Sequence, residues 1–223
     1  MEINKSSFLQ KFCGQWWINL MYVLGAIMLV LTIVYGSTWD TPRLVAALFV
    51  IVLPLHVFEE LQFPAGFHIM LNTVQKSKDP NIGPENRLSD MVTNLGAEII
   101  FIGFFIWGNN IAITIAFVIF GFGEALAHTI YGTLIWKHFK SRGKKTIYGP
   151  GSITAYFTQL PISIYALIWL SKQAVATSDI IIGILIILFI MSVLIRLPMM
   201  VFGGKKYPEF AYTSAGYFKK FLK

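Results

Sequence analysis

Six apolar stretches divide the chain, at about 17–36, 44–71, 91–107, 111–136, 153–170 and 180–202. A helix needs roughly 20 apolar residues to cross a bilayer core of about 30 Å. The pattern therefore predicts six transmembrane helices. The second stretch is too long for one upright span. It is expected to tilt, or to break near Pro64 and Gly66 and end in a piece lying at the interface. The short polar connection Gly108–Asn110 makes its flanking helices antiparallel neighbours. The linker 72–90, NTVQKSKDPNIGPENRLSD, carries Pro, Gly and Asn and reads as a solvated loop. There is no internal repeat. The expectation is an all-α, polytopic membrane helix bundle forming one integral-membrane domain over 1–223.

Polar residues interrupt three of these stretches. In LPLHVFEELQ, residues 53–62, a histidine and two glutamates arrive with no loop to carry them. Helical spacing puts His56, Glu59 and Glu60 on one arc. Asn94 and Glu98 repeat the i, i+4 spacing on the third span, and Glu124 and His128 on the fourth. At about 1.5 Å per residue, His56 to Glu60 lie about 20–25 Å below the entry near Arg43, and Glu98 about 12 Å from Asp90. Glu124 and His128 lie about 20 and 13 Å from the exit near Lys137, so all fall in one layer between the bilayer middle and its inner side.

Ionised carboxylates in lipid cost several kcal/mol each unless paired, protonated or metal-bound. Arg196 is the one intramembrane cation at a similar depth. A divalent metal, one ion or two, is the simplest neutraliser. His and Glu suit zinc first, with iron or manganese as alternatives. The expected ligands are His56, Glu60, Glu98 and His128, with Glu59 or Glu124 as general base; the glutamates are interchangeable at this level. A proton or ion relay, or polar groups that merely hold helices together, are the rival readings. His68 and His138 read as interfacial, and Trp16, Trp17, Trp39 and Trp136 as belt residues.

Composition narrows the class. Hydrophobic residues make up 56% and charged residues 13%, which excludes an ordinary soluble domain. The net charge of +7 is a topology signal, because fifteen of the 18 Lys and Arg fall at the N-terminus, the 72–90 and 137–152 loops and the C-terminal tail. Both termini are thus expected in the cytoplasm, in a multi-pass protein of the cell membrane. No separate basic face speaks for nucleic acid. The tail at about 204–223 is basic and aromatic and suits an anionic headgroup layer, or is an ordinary membrane flank. The single Cys13 excludes an internal disulfide. The first apolar run is expected to remain as an anchor.

HVFEE at 56–60 resembles the signature of the HXXEE family of integral membrane proteins. NLGAE at 94–98, EALAH at 124–128 and YGPGSITA at 148–155 look like that family's further motifs, in order, over about half the chain. Gly149 stands where asparagine is expected before the Pro-Gly pair. The resemblance implies a metal-dependent membrane protein and supplies no substrate. Physically, Gly149, Pro150 and Gly151 make a tight turn, and Ser152 or Thr154 can cap the fifth span. Free N–H groups at that helix start can bind an anion; a simple helix-start turn is the alternative.

Together these readings point to a metal-dependent hydrolase acting on a lipid or other amphipathic substrate from the cytoplasmic half of the bilayer. Asn94, Tyr148, Gly151, Thr154 and Arg196 are expected around the substrate or behind the ligands. A two-iron oxidase or desaturase would use the same ligands with an electron donor. A metal-ion or proton transporter is a rival from another class, weakened by the lack of an inverted repeat. An accessory or immunity protein without chemistry is the last. The Glu-Glu-x-x-x-Arg pattern of glutamate-dependent membrane proteases is absent, since Pro64 occupies the Arg position. Oligomeric state is left open.

Overall fold

The computed structural model describes residues 7–222, apart from the side chain of Lys205. Lys5 and Lys223, which enter the count of basic residues, lie outside the described residues. Every regular element among the described residues is helical. Six helices are long and apolar enough to cross a membrane: α1 (Phe8–Thr38), α2 (Thr41–Gln62), α4 (Arg87–Trp107), α5 (Ile111–Arg142), α6 (Ser152–Leu170) and α7 (Thr177–Phe202). A short helix, α3 (Phe67–Val74), lies between α2 and α4.

Local chemistry sets the ends. Asp40 caps α2 by accepting from Arg43 N at 2.9 Å, with Pro42 in the first turn. The helix stops at Phe63, whose backbone is extended before Pro64. The break expected near Pro64 and Gly66 is therefore present. The piece beyond it is the short helix α3. α3 packs on α5 and buries His68, Ile69, Met70, Leu71 and Asn72. His68, read as interfacial, is thus enclosed, its ring stacked on Tyr212 at 3.8 Å.

The 72–90 segment is also more closed than its composition implies. Asn72 donates to the carbonyls of Pro80 and Glu85, both at 2.8 Å, and accepts from Glu85 N at 2.9 Å. One buried amide thereby satisfies three backbone groups and folds the loop on itself. Asn86 then caps α4 through Leu88 N and Ser89 N.

α2 is the most enclosed span and α7 the least. α2 packs on α1 and α4, and α5 packs on α6 and α7. The core joins these groups through aromatic rings. Phe49 of α2 stacks on Phe117 of α5 at 4.6 Å and meets Phe101 of α4 edge-on at 5.9 Å. Such pairs contribute about 0.5–1.5 kcal/mol each beyond area burial. Gly121 lets α5 and α6 close up, since a Cβ there would come within 2.8 Å of Gln159 O. Ser163 Oγ then donates to Phe117 O at 2.8 Å. This contact ties the second half of α6 to α5.

The tail folds onto the bundle. Tyr212 N donates to Asn81 O at 2.9 Å and Tyr217 N to Ala65 O at 3.0 Å. Phe210, Phe218 and Phe221 are buried. Residues 204–222 are therefore a packed cap over α3 and α5, held by hydrogen bonds to the loops.

Candidate metal centre

α2 ends in a widened turn, Phe58–Gln62, with an i→i+5 bond from Phe63 N to Phe58 O at 2.8 Å. Such π turns often accompany functional sites. Here the turn carries the two adjacent glutamates, and they face different partners.

Glu60 faces inward. Its Oε1 lies 3.3 Å from His56 Nε2, one turn earlier, and 3.5 Å from His128 Nε2 on α5. Glu124, one turn before His128, places Oε2 3.7 Å from both Nε2 atoms. The two imidazoles stand edge to face, 5.1 Å apart at 89°. His56, Glu60 and His128 are buried, whereas the Glu124 side chain keeps 22% of its surface exposed. His56, Glu60 and His128 can hold a metal ion, their ligand atoms all lying within 4.8 Å of one another. They are the one such group among the described residues.

The donor set fits a cation. A tetrahedral ion with ligands at about 2.0–2.1 Å separates them by about 3.3–3.4 Å. The four nitrogen–oxygen contacts run from 3.3 to 3.7 Å. Two imidazoles with carboxylate oxygens suit zinc, iron or manganese.

Glu59 faces the start of α6. Its Oε1 accepts from Tyr148 OH and Ile153 N, each at 3.1 Å. Its Oε2 accepts from Thr154 N at 2.8 Å and Thr154 Oγ1 at 2.7 Å. The anion at this helix start is thus the protein's own Glu59, in the place where the sequence left room for a substrate oxyanion. Thr154 Oγ1 also lies 2.8 Å from His56 Nδ1. Gly151 has φ +92° and passes directly beside the cluster, where a Cβ would come within 2.8 Å of Glu60 Oε1 and of His128 Nε2.

Three expected residues stay outside the cluster. Glu98 is fully buried on α4, but among the described residues no ion pair joins it to the histidines and neither oxygen has a hydrogen-bond partner. Asn94 Nδ2 is turned back to Asp90, donating to its backbone O at 3.1 Å and Oδ1 at 2.9 Å. Arg196 is exposed on α7, and among the described residues no hydrogen bond or ion pair ties it to the cluster. Helical spacing places such groups on a face without saying toward which neighbour that face turns.

Lys144 and Glu85 carry no such signal in the sequence. Lys144 is only 2% exposed. Its Nζ donates to Tyr148 O at 2.5 Å and lies 4.8 Å from the Tyr217 ring centre, inside aromatic residues of the tail. Burial, and then the charge of Lys220, lower its pKa to about 8. Burial pushes the Tyr148 hydroxyl above its ordinary range, aided by the charge of Glu59. Glu85 is buried as well. Burial first, then the charges of Asp90 and Glu60, push its carboxyl well above the usual range.

A cavity of about 300 Å³ adjoins the centre, with His128, Tyr148, Ser152, Ile153, Tyr156 and Phe157 in its wall. Ile153 and Phe157 are exposed at its rim.

A family model described as a protein of unknown function with HXXEE motif matches residues 47–166, more than half of the chain. The matched span contains every member of the cluster and the start of α6. No curated protein and no solved structure matches the chain.

Proposed function

The chain belongs to the HXXEE family, and on that footing we propose that His56, Glu60, Glu124 and His128 form the centre of a metal-dependent hydrolase within the membrane. The carrying observation is the convergence of two imidazole Nε2 atoms on Glu60 Oε1, at 3.3 and 3.5 Å. His56, Glu60 and His128 are the ligands in this reading, with zinc as the resident ion. A divalent ion held there supplies Lewis acidity, polarising a scissile group and making water more acidic. Glu124 is the general base, taking a proton at Oε2 from the attacking water. Its partial exposure and its reach to both histidines favour it over Glu59, whose oxygens already serve four donors.

The substrate is a lipid or another amphipathic molecule. The cavity beside His128 is walled by Ile153, Tyr156 and Phe157, which suit an acyl chain entering from the bilayer. The distribution of basic residues supports a centre in the cytoplasmic half.

The test is elemental analysis and turnover of the purified protein with a panel of ester and phosphodiester lipids. Glu60→Ala is expected to lose the metal. Glu124→Gln is expected to keep it and lose turnover by about 10²–10⁴-fold. Full activity in metal-free protein would refute the hydrolase reading. Iron with visible absorption would move the reading to an oxidase.

A proton relay has one observation of its own. Asp90, Asn94 and Glu98 form a line along α4, and the Glu98 carboxyl at its end is buried with no hydrogen-bond partner among the described residues. Proton flux into reconstituted vesicles that Glu98→Gln abolishes would favour that reading.

A further inference from the structure

Glu59 and Glu60 are adjacent in sequence and both buried, yet only Glu60 touches the imidazole Nε2 atoms. A carboxylate offers about four lone-pair sites, and Glu59 receives four donors. It therefore has no capacity left for water or substrate. Its place in the chemistry has to run through a donor, and one of those donors also touches a ligand.

That donor is Thr154. Both Glu59 oxygens already accept from Tyr148 OH, Ile153 N and Thr154 N, so the Thr154 hydroxyl, 2.7 Å away, is the donor toward that carboxylate. Gly151 O, at 3.1 Å, is the competing acceptor for the hydroxyl proton. The shorter, charge-assisted bond prevails. With its one proton committed, Thr154 Oγ1 can only accept from His56 Nδ1 at 2.8 Å. The Nδ1 atom then carries the imidazole proton, and Nε2 is left as a bare lone pair aimed at Glu60 and Glu124. The direction of each bond in the series His56, Thr154, Glu59 follows from the one before. His128 has no such support among the described residues, where its buried Nδ1 finds no hydrogen-bond partner.

We propose that Glu59 is a positioning residue, which acts through the Thr154 hydroxyl to hold His56 in the tautomer whose Nε2 can bind a metal. This rests on the reading of His56 as a ligand. The same carboxylate pins Ile153 N and Thr154 N of α6 against the end of α2. Ligand orientation and helix docking are thereby one interaction. Partners behind metal ligands typically govern affinity by about 10–100-fold.

The experiment uses the full chain purified in detergent, with zinc affinity measured by chelator competition and cobalt(II) absorption as the readout of coordination. Thr154→Val keeps the shape and removes the hydroxyl; Thr154→Ser keeps the hydroxyl. Thr154→Val is expected to weaken zinc binding by about 10–100-fold and alter the cobalt spectrum. Thr154→Ser is expected to restore most of both. Glu59→Gln, which turns an amide N–H₂ toward the donors, is expected to bind at least as weakly as Thr154→Val. Wild-type affinity in Thr154→Val or in Glu59→Gln would overturn the proposal. So would a Ser variant as weak as the Val variant, because the hydroxyl would then be irrelevant. Should Thr154→Val fail to fold, Glu59→Gln and Thr154→Ser decide between the outcomes. His56→Ala separates the two levels. If wild type binds zinc and His56→Ala does not, the metal reading stands and the Thr154 pair alone judges this inference. If wild type binds none, both fall.

Discussion

Gly151 lies so close to Glu60 that a single methyl group at residue 151 would come within 2.8 Å of the Glu60 Oε1 atom. Its φ of +92° adds a second reason for glycine. Gly151→Ala is therefore expected to be destabilising twice over, by about 1–2 kcal/mol from the backbone and about 1–3 kcal/mol from overpacking. The methyl group would also press on both His128 and Glu60, so metal occupancy is expected to fall with stability. Thermal unfolding and zinc stoichiometry of the same preparation check both parts.

His68 supplies an acid-labile joint in α3. Burial lowers its pKa to about 3 from 6.5, against the neighbouring Asn81 amide, which raises it. The unfolded chain thus binds the extra proton first, so stability falls as pH drops through the window from about 6.5 to about 3. The groups against the ring are Tyr212, stacked at 3.8 Å, and Asn81. His68→Phe keeps the stack and removes the proton site. Its thermal midpoint is expected to decline less than wild type between about pH 6.5 and about pH 4.5.

Lys144 predicts the opposite end of the pH scale. Its pKa of about 8 lies below the ordinary 10.5, so the folded state loses its proton before the unfolded one. Stability is expected to rise as pH climbs from about 8 to about 10.5. Lys144→Met should flatten that rise. It also removes the hydrogen bond to Tyr217 OH at 3.4 Å and the charge over the Tyr217 ring, which leaves the tail easier to cleave. Limited proteolysis near neutral pH reads that loosening.

Ile153 bounds the cavity next to His128. Ile153→Trp is expected to leave zinc content unchanged, because only the backbone of residue 153 bonds to Glu59. For a long-chain substrate, kcat/KM should fall by about tenfold, equal to about 1.4 kcal/mol. A short-chain analogue should be turned over almost as before. Equal losses on both substrates would place the chain elsewhere.

The parts of this fold legible in the sequence were those set by periodicity. Hydrophobic runs marked out six spans, and i, i+4 spacing paired His56 with Glu60 and Glu124 with His128. Proline and glycine marked the break after Gln62. Rotation about the helix axis was not legible, and it separates Glu98 from His56 although both were expected at one depth. Neither was the widened turn at 58–62 that divides Glu59 from Glu60, since no residue there announces it. The 72–90 loop misled because Asn72, inside a helix, answers backbone groups more than ten residues away. The packing of the tail was not legible either, because basic aromatic residues look alike whether they meet headgroups or enclose Lys144.

The exposed rim of Ile153 and Phe157 has a kinetic corollary. On the proposed reading of a lipid substrate, a molecule reaching His128 past that rim would already be dissolved in the membrane, and the quantity governing its capture would be mole fraction in the lipid phase. Inert detergent added at constant bulk amount would slow the reaction by surface dilution alone.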